Sequence, residues 1–242
     1  MTVVGMITYP GVLSLGIKVS GRRHLRELPN KNVLFVSNHE TIFGDAIVQS
    51  HILTNSRWSK TLKNPFYLLF PRLNTYFVAA DETMREDLLS RLFNLGGSIR
   101  VKRSWRQAGQ DVERSLDTQG QNYIEAALKV GWVVTFPQGT TRVFARGRMG
   151  TAFLIKKCQP TVVPVVVSGL RETFDKKGLK KISKGHPVSV TYKEPLKLDF
   201  DADAKVILSQ LMDAIEQSEA FWPEGFVPEE PSSDQNSLPL DK

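Results

Sequence analysis

Val162-Val163-Pro164-Val165-Val166-Val167 is the segment that most narrows the folds open to this chain. An unbroken apolar run of this length is far short of the roughly 20 residues needed to cross a bilayer. It also offers no alternate polar positions to turn toward water, so it reads as a strand buried on both faces, the condition of a parallel sheet covered by helices. Val33-Leu34-Phe35-Val36 and Trp132 to Phe136 have the same character. Between these runs the apolar spacing becomes helical, over Asp45 to Leu53, Tyr123 to Val130, Thr151 to Lys157 and Asp203 to Glu219. Thr83 to Leu95 is amphipathic through Met84, Leu88, Leu89, Leu92 and Phe93, and Gly96-Gly97 stops it. Ile99 to Lys102 and Val188 to Tyr192 supply further strands. Strands alternating with helices predict an α/β fold with a mixed, mostly parallel sheet flanked by helices.

A length of 242 residues admits one large domain with appendages, and one core is expected. Met1 to Ile17 is uncharged but broken by Pro10 and three glycines. Residues 1–12 therefore read as an apolar leader, followed by a strand in which Leu13, Leu15, Ile17 and Val19 alternate with Ser14, Gly16, Lys18 and Ser20. The leader either packs on the core or docks shallowly at a bilayer surface. Residues 13–222 then form the domain, and 223–242 an acidic tail with too little apolar content to fold alone. The leader lacks the basic start of a secretory signal and is too interrupted for a spanning helix, so a cytoplasmic protein held peripherally at the membrane is expected.

Charge and chemistry narrow the partners. The tail carries Glu224, Glu229, Glu230, Asp234 and Asp241 against Lys242, a net of −4, so residues 1–222 hold +11 of an overall +7. That field favours anions, including phosphorylated small molecules and anionic lipid. No zinc finger or RNA-binding aromatic motif accompanies it, which argues against nucleic acid. Cys158 stands alone, excluding an intramolecular disulfide and a cysteine zinc site, and the four histidines lack metal-ligand spacing. Lysines from Lys176 to Lys184 read as a solvated face or as a contact for anionic lipid or a phosphorylated carrier.

The apolar run Val33–Val36 ends in Ser37-Asn38-His39, placing an imidazole at the carboxyl end of a strand, where α/β sheets bind ligands. A neutral imidazole can take a proton from an alcohol, and a nearby carboxylate can fix its tautomer. Asp45 is one candidate for that carboxylate and Glu40 another, although neighbouring side chains on an extended segment diverge. Six positions separate His39 from Asp45, an offset that a continuous helix would rotate about 240°, so part of Glu40 to Gly44 must be loop, with Gly44 the natural point of distortion.

Four segments in order resemble the glycerophospholipid acyltransferase family, the 1-acylglycerol-3-phosphate acyltransferase or PlsC-like group, across roughly Leu15 to Leu198. Asn38-His39 with Asp45 is similar to its first block, though with five intervening residues where the family has four. Gly97 to Arg103 is similar to the second block, and Phe136-Pro137-Gln138-Gly139-Thr140-Thr141-Arg142 to the third, Phe-Pro-Glu-Gly-Thr-Arg, with Gln138 replacing glutamate and an added threonine. Val163 to Val166 is similar to the fourth. The resemblance implies an O-acyltransferase with His39 and Asp45 as catalytic dyad and Asn38, Arg103, Gln138, Gly139, Thr140 and Arg142 at the substrate. It implies no cofactor or metal, acyl-CoA or acyl-ACP as donor, and a lysolipid such as 1-acylglycerol 3-phosphate as acceptor, in phospholipid biosynthesis. The altered blocks leave open a lyso-aminolipid or other non-phosphate acceptor, and a non-catalytic lipid- or carrier-binding protein.

Overall fold

The computed structural model describes residues 2–56, 59, 61–69, 74–80, 98–101, 118–183 and 185–227. The expected helix Thr83–Leu95, Arg103 and most of the acidic tail lie outside them. Seven strands form one sheet: β1 (Lys18–Ser20), β2 (Val33–Ser37), β3 (Thr75–Ala80), β4 (Ser98–Val101), β5 (Trp132–Thr135), β6 (Thr161–Ser168) and β7 (Ser189–Tyr192), in the order β1-β7-β6-β2-β5-β3-β4. The five strands from β6 to β4 are mutually parallel, whereas β7 runs antiparallel to β6 and carries β1 parallel to itself. The sheet is thus mixed and mostly parallel, as expected.

Strand β2 shows why its sequence does not alternate. Val33 and Phe35 enter one apolar cluster while Leu34 and Val36 enter another on the opposite face, and all four are fully buried. Helices α1 (Thr2–Ser14), α2 (Arg22–Glu27) and α3 (Gly44–Asn55) cover the first face, through Val12, Leu25, Val48 and Ile52. Helices α4 (Thr118–Val130), α5 (Met149–Cys158) and α7 (Ala204–Ala214) cover the second, through Leu128, Ile155 and Leu211, and the short α6 (Leu170–Thr173) follows β6. Proline is normally excluded from central strands because it cannot donate to a ladder. Pro164 is accommodated where β7 has just ended, its carbonyl accepting from Lys193 N–H.

Two expected boundaries are revised. The period-two pattern beginning at Leu13 is not one strand: Leu13 and Ser14 lie in the last turn of α1, the chain turns at Gly16 with φ +56°, and extended pairing starts only at Lys18. Leu15, Ile17 and Val19 still pack against the core, which is the part of the alternation the fold uses. The last helix is capped by Asp203, whose Oδ1 accepts from Lys205 N–H, but it stops at Ala214, and Glu216 adopts φ +60° instead of continuing to Glu219. Beyond Trp222, Phe226 packs edgewise on Trp222 and Phe144.

Helix α1 is pinned to α3 through a buried imidazole. His51 Nε2 lies 2.8 Å from Thr8 Oγ1 and Nδ1 2.6 Å from the Tyr67 hydroxyl, and burial pulls the ring down to about 4, keeping it neutral. Among the described residues no helix is long and apolar enough to cross a membrane.

Candidate active site

Three adjacent parallel strands deliver loops to one edge of the sheet: β2 leads to His39, β5 to Phe136–Arg142, and β6 to Gly169–Arg171. This is the carboxyl edge at which open α/β sheets place their ligands. His39 Nδ1 sits 2.7 Å from Asp45 Oδ2, with the imidazole nearly buried and the carboxylate wholly so. The same Oδ2 accepts from the backbone N–H groups of Glu40 and Thr41, each at 2.8 Å. Asp45 thus gathers the loop around itself, and its place in the first turn of α3 sets its charge against the positive end of that helix.

Glu40, the other candidate carboxylate, turns away. Its Oε2 accepts from Leu170 N–H at 2.7 Å and Arg171 N–H at 3.2 Å. Burial, opposed by these amides and reinforced by the charges of Asp45 and Glu172, pushes its carboxyl up to about 7.

The additional residue between His39 and Asp45 is taken up by bends at Glu40-Thr41 and a turn at Ile42-Phe43. Gly44 is not the distorted position; it begins α3, and glycine is needed there for close approach, since a Cβ would lie 2.5 Å from Thr41 Oγ1. The loop is braced from outside: Ile42 N–H donates to Lys176 O (3.0 Å) and Phe43 N–H to Lys177 O (2.9 Å). Gly178 (φ +76°) packs so tightly on Gly44 that a Cβ there would come within 2.5 Å of Gly44 N. The lysine-rich segment therefore uses its backbone to shape the loop, while the Lys176, Lys177, Lys180 and Lys181 side chains stay exposed.

Phe136, the first residue after β5, stacks on the His39 ring at 4.1 Å between centroids and 22° between planes. A π face at this distance favours an imidazolium once formed. Its position directly after an apolar strand was visible in the sequence, but its meeting with His39 depends on β5 lying beside β2.

The remaining expected substrate residues divide. Asn38 is buried and bonded through both amide atoms to Val167, Nδ2 donating to its carbonyl and Oδ1 accepting its N–H, at 2.8 and 2.7 Å. It ties the loop to the end of β6. Gln138 is also buried, its Nε2 donating to Ala145 O (3.1 Å) and Gln217 Oε1 (3.0 Å). Two acceptors require a donor there, which a carboxylate cannot provide, and this accounts for the amide. Gln217, unnoticed in the sequence, also accepts from Phe144 N–H. Gly139 adopts φ +63°, and its N–H is committed to Phe136 O. Thr140 Oγ1 accepts from Arg142 N–H. The backbone N–H groups of Thr140 and Thr141 have no acceptor among the described residues. Ser37 Oγ is buried and donates to Asn38 O.

A family model described as Acyltransferase matches residues 16–168. No curated protein matches the sequence at a significant level. Among solved structures, the fold is similar to the crystal structure of the 1-acyl-sn-glycerophosphate (LPA) acyltransferase, PlsC, from Thermotoga maritima. The match has a TM-score of 0.49 and 15% identity, and covers 91% of this chain and 80% of that one.

Proposed function

The chain belongs to the acyltransferase family, and from that premise we propose that it moves a fatty acyl group from the thioester of coenzyme A or acyl carrier protein to a hydroxyl of a lysolipid such as 1-acylglycerol 3-phosphate. The observation that supports this most is the His39–Asp45 contact, which occupies Nδ1 and leaves Nε2 with no hydrogen bond among the described residues. Nε2 takes the acceptor's proton as its oxygen attacks the thioester carbonyl; collapse of the tetrahedral intermediate breaks the C–S bond, and the imidazolium returns the proton to the thiolate. Asp45 and the Phe136 ring stabilise the imidazolium meanwhile. The Thr140 and Thr141 N–H groups, a few residues beyond Phe136, are the proposed donors to the oxyanion. Incubation with a labelled acyl thioester and a lysolipid panel, with products identified by mass spectrometry, tests the reading. Acylation of phosphate-free acceptors alone would move it to the lyso-aminolipid class, and transfer to none would leave a binding protein.

Arg142, with Arg103, is proposed to hold the acceptor's phosphate, for which a guanidinium fork is suited. Arg142→Ala is then expected to raise the acceptor KM about 10- to 100-fold, the range of charge-assisted hydrogen bonds, with little change in the donor KM. An unchanged acceptor KM would remove Arg142 from that role.

We also place the protein peripherally at an anionic membrane. Met6 and Ile7 on α1 and Phe66 and Leu69 on the neighbouring 3-10 turn are 48–68% exposed, an apolar set on a strongly basic protein. Liposome binding should weaken in high salt and weaken again in an Ile7→Asp, Phe66→Asp variant. Equal sedimentation with neutral and anionic vesicles, unaffected by that variant, would contradict it.

A further inference from the structure

Glu40 is half-buried beside the dyad, yet the acyl transfer step has no use for its carboxylate. Its partners show another use. Glu40 Oε2 receives the Leu170 and Arg171 amides, and the Arg171 guanidinium reaches the opposite way, Nη2 donating to Thr141 O at 2.6 Å. Gly169, at φ +92°, turns the chain out of β6 so that these amides face Glu40, and a Cβ there would lie 2.1 Å from Pro187 O. A continuous line therefore runs from the loop bracketed by Asp45, through Glu40 and Arg171, to the loop carrying Thr140, Thr141 and Arg142. Its links join residues about 30 and 130 positions apart in the chain.

We propose that Glu40 and Arg171 are positioning residues that hold the Thr140–Arg142 loop in register with the His39–Asp45 pair, so that a bound acceptor presents its hydroxyl to the imidazole. Neither residue touches substrate. The hydrogen bond from Arg171 to a backbone carbonyl fixes the loop whatever side chain Thr141 carries. The hydrogen bonds to Glu40 need an acceptor oxygen and not a charge, so an amide can replace the carboxylate. This proposal rests on the reading that Arg142 contacts the acceptor.

The test is steady-state kinetics on the full-length enzyme, with acceptor and donor varied separately. Arg171→Ala is expected to raise the acceptor KM about tenfold, the scale of one lost positioning hydrogen bond, and to lower kcat because the same loop carries the proposed oxyanion donors, with the donor KM changed far less. Glu40→Ala should do the same, and Glu40→Gln should restore the wild-type value. Because Arg171 acts on acceptor binding through the Arg142 loop, Arg171→Ala added to Arg142→Ala should raise the acceptor KM no further. Thermal unfolding of each variant identifies any that fail to fold, and Arg171→Lys, which keeps a donor, then carries the test by lying between wild type and Arg142→Ala in acceptor KM. An effective Arg142→Ala beside a silent Arg171→Ala would overturn the latch and leave the acceptor reading standing. A silent Arg142→Ala would overturn the acceptor reading itself. Equal rises in donor and acceptor KM, or a full Arg171→Ala rise in acceptor KM persisting in the Arg142→Ala background, would also refute it.

Discussion

His39→Ala is expected to lower turnover by roughly 10²- to 10⁴-fold, the usual contribution of a positioned general base, while the protein stays folded. Among the described residues the ring makes one side-chain hydrogen bond, to Asp45, and one stacking contact, to Phe136. His39 itself belongs to neither of the two apolar clusters that hold the sheet, although Phe136 packs against one of them, so its removal should cost little stability. Asp45 keeps the Glu40 and Thr41 amides in the variant, and the loop retains its bonds to Lys176 and Lys177. The effect should fall on kcat, because the imidazole acts on a proton that moves in the transition state. Near-normal transfer by a folded His39→Ala protein would end the proposal that this imidazole is the base.

Asp45→Asn should be nearly as severe, on the order of 10³- to 10⁴-fold, for a different reason. An amide oxygen can still accept from the Glu40 and Thr41 N–H groups, so the turn survives. What disappears is the buried negative charge opposite Nδ1 that would stabilise the imidazolium. The new NH₂ group would also replace Oδ1, which is buried with no hydrogen-bond partner among the described residues. If the amide flips to relieve this, it presents a donor to Nδ1 and selects the wrong tautomer. A folded variant within tenfold of wild-type kcat would show that Asp45 shapes the loop without acting in the reaction. Glu40→Gln should be benign in kcat, since Glu40 faces Leu170 and Arg171.

Much of the fold was legible because its strands are buried on both sides. Val33–Val36 and Val162–Val167 have no polar alternation to confuse the reading, and His39 followed from the end of the first. The stretch around Leu13 to Val19 misled because a helix end, a turn and a three-residue strand can together place every second residue inward. At the site, residue types suggested which side chains carry chemistry, but not where their bonds go. Asn38 and Gln138 have the groups to bind a ligand, yet their amides are spent on Val167 and on Ala145 and Gln217. Phe136, Arg171 and Gln217 acquire their roles only when β5, β6 and the end of α7 come to lie beside β2, and no local spacing encodes that meeting. Gly44 is a smaller example: glycine was expected for its backbone freedom and is needed for its missing side chain.

Strand β2 pairs with β5 at Val33–Trp132 and with β6 at Val33–Thr161, so both of its neighbours are synthesised long after it. At about 5 to 20 residues per second, the ribosome leaves this apolar segment unpaired for several seconds or more. The loop that carries His39 waits longer still, because the carbonyls that brace it belong to Lys176 and Lys177. A nascent chain released early would expose two sticky strand edges and lack a formed active site. The order of synthesis thus leaves the edges of this strand uncovered until the later strands arrive, and catalytic competence should arrive among the last events of its maturation.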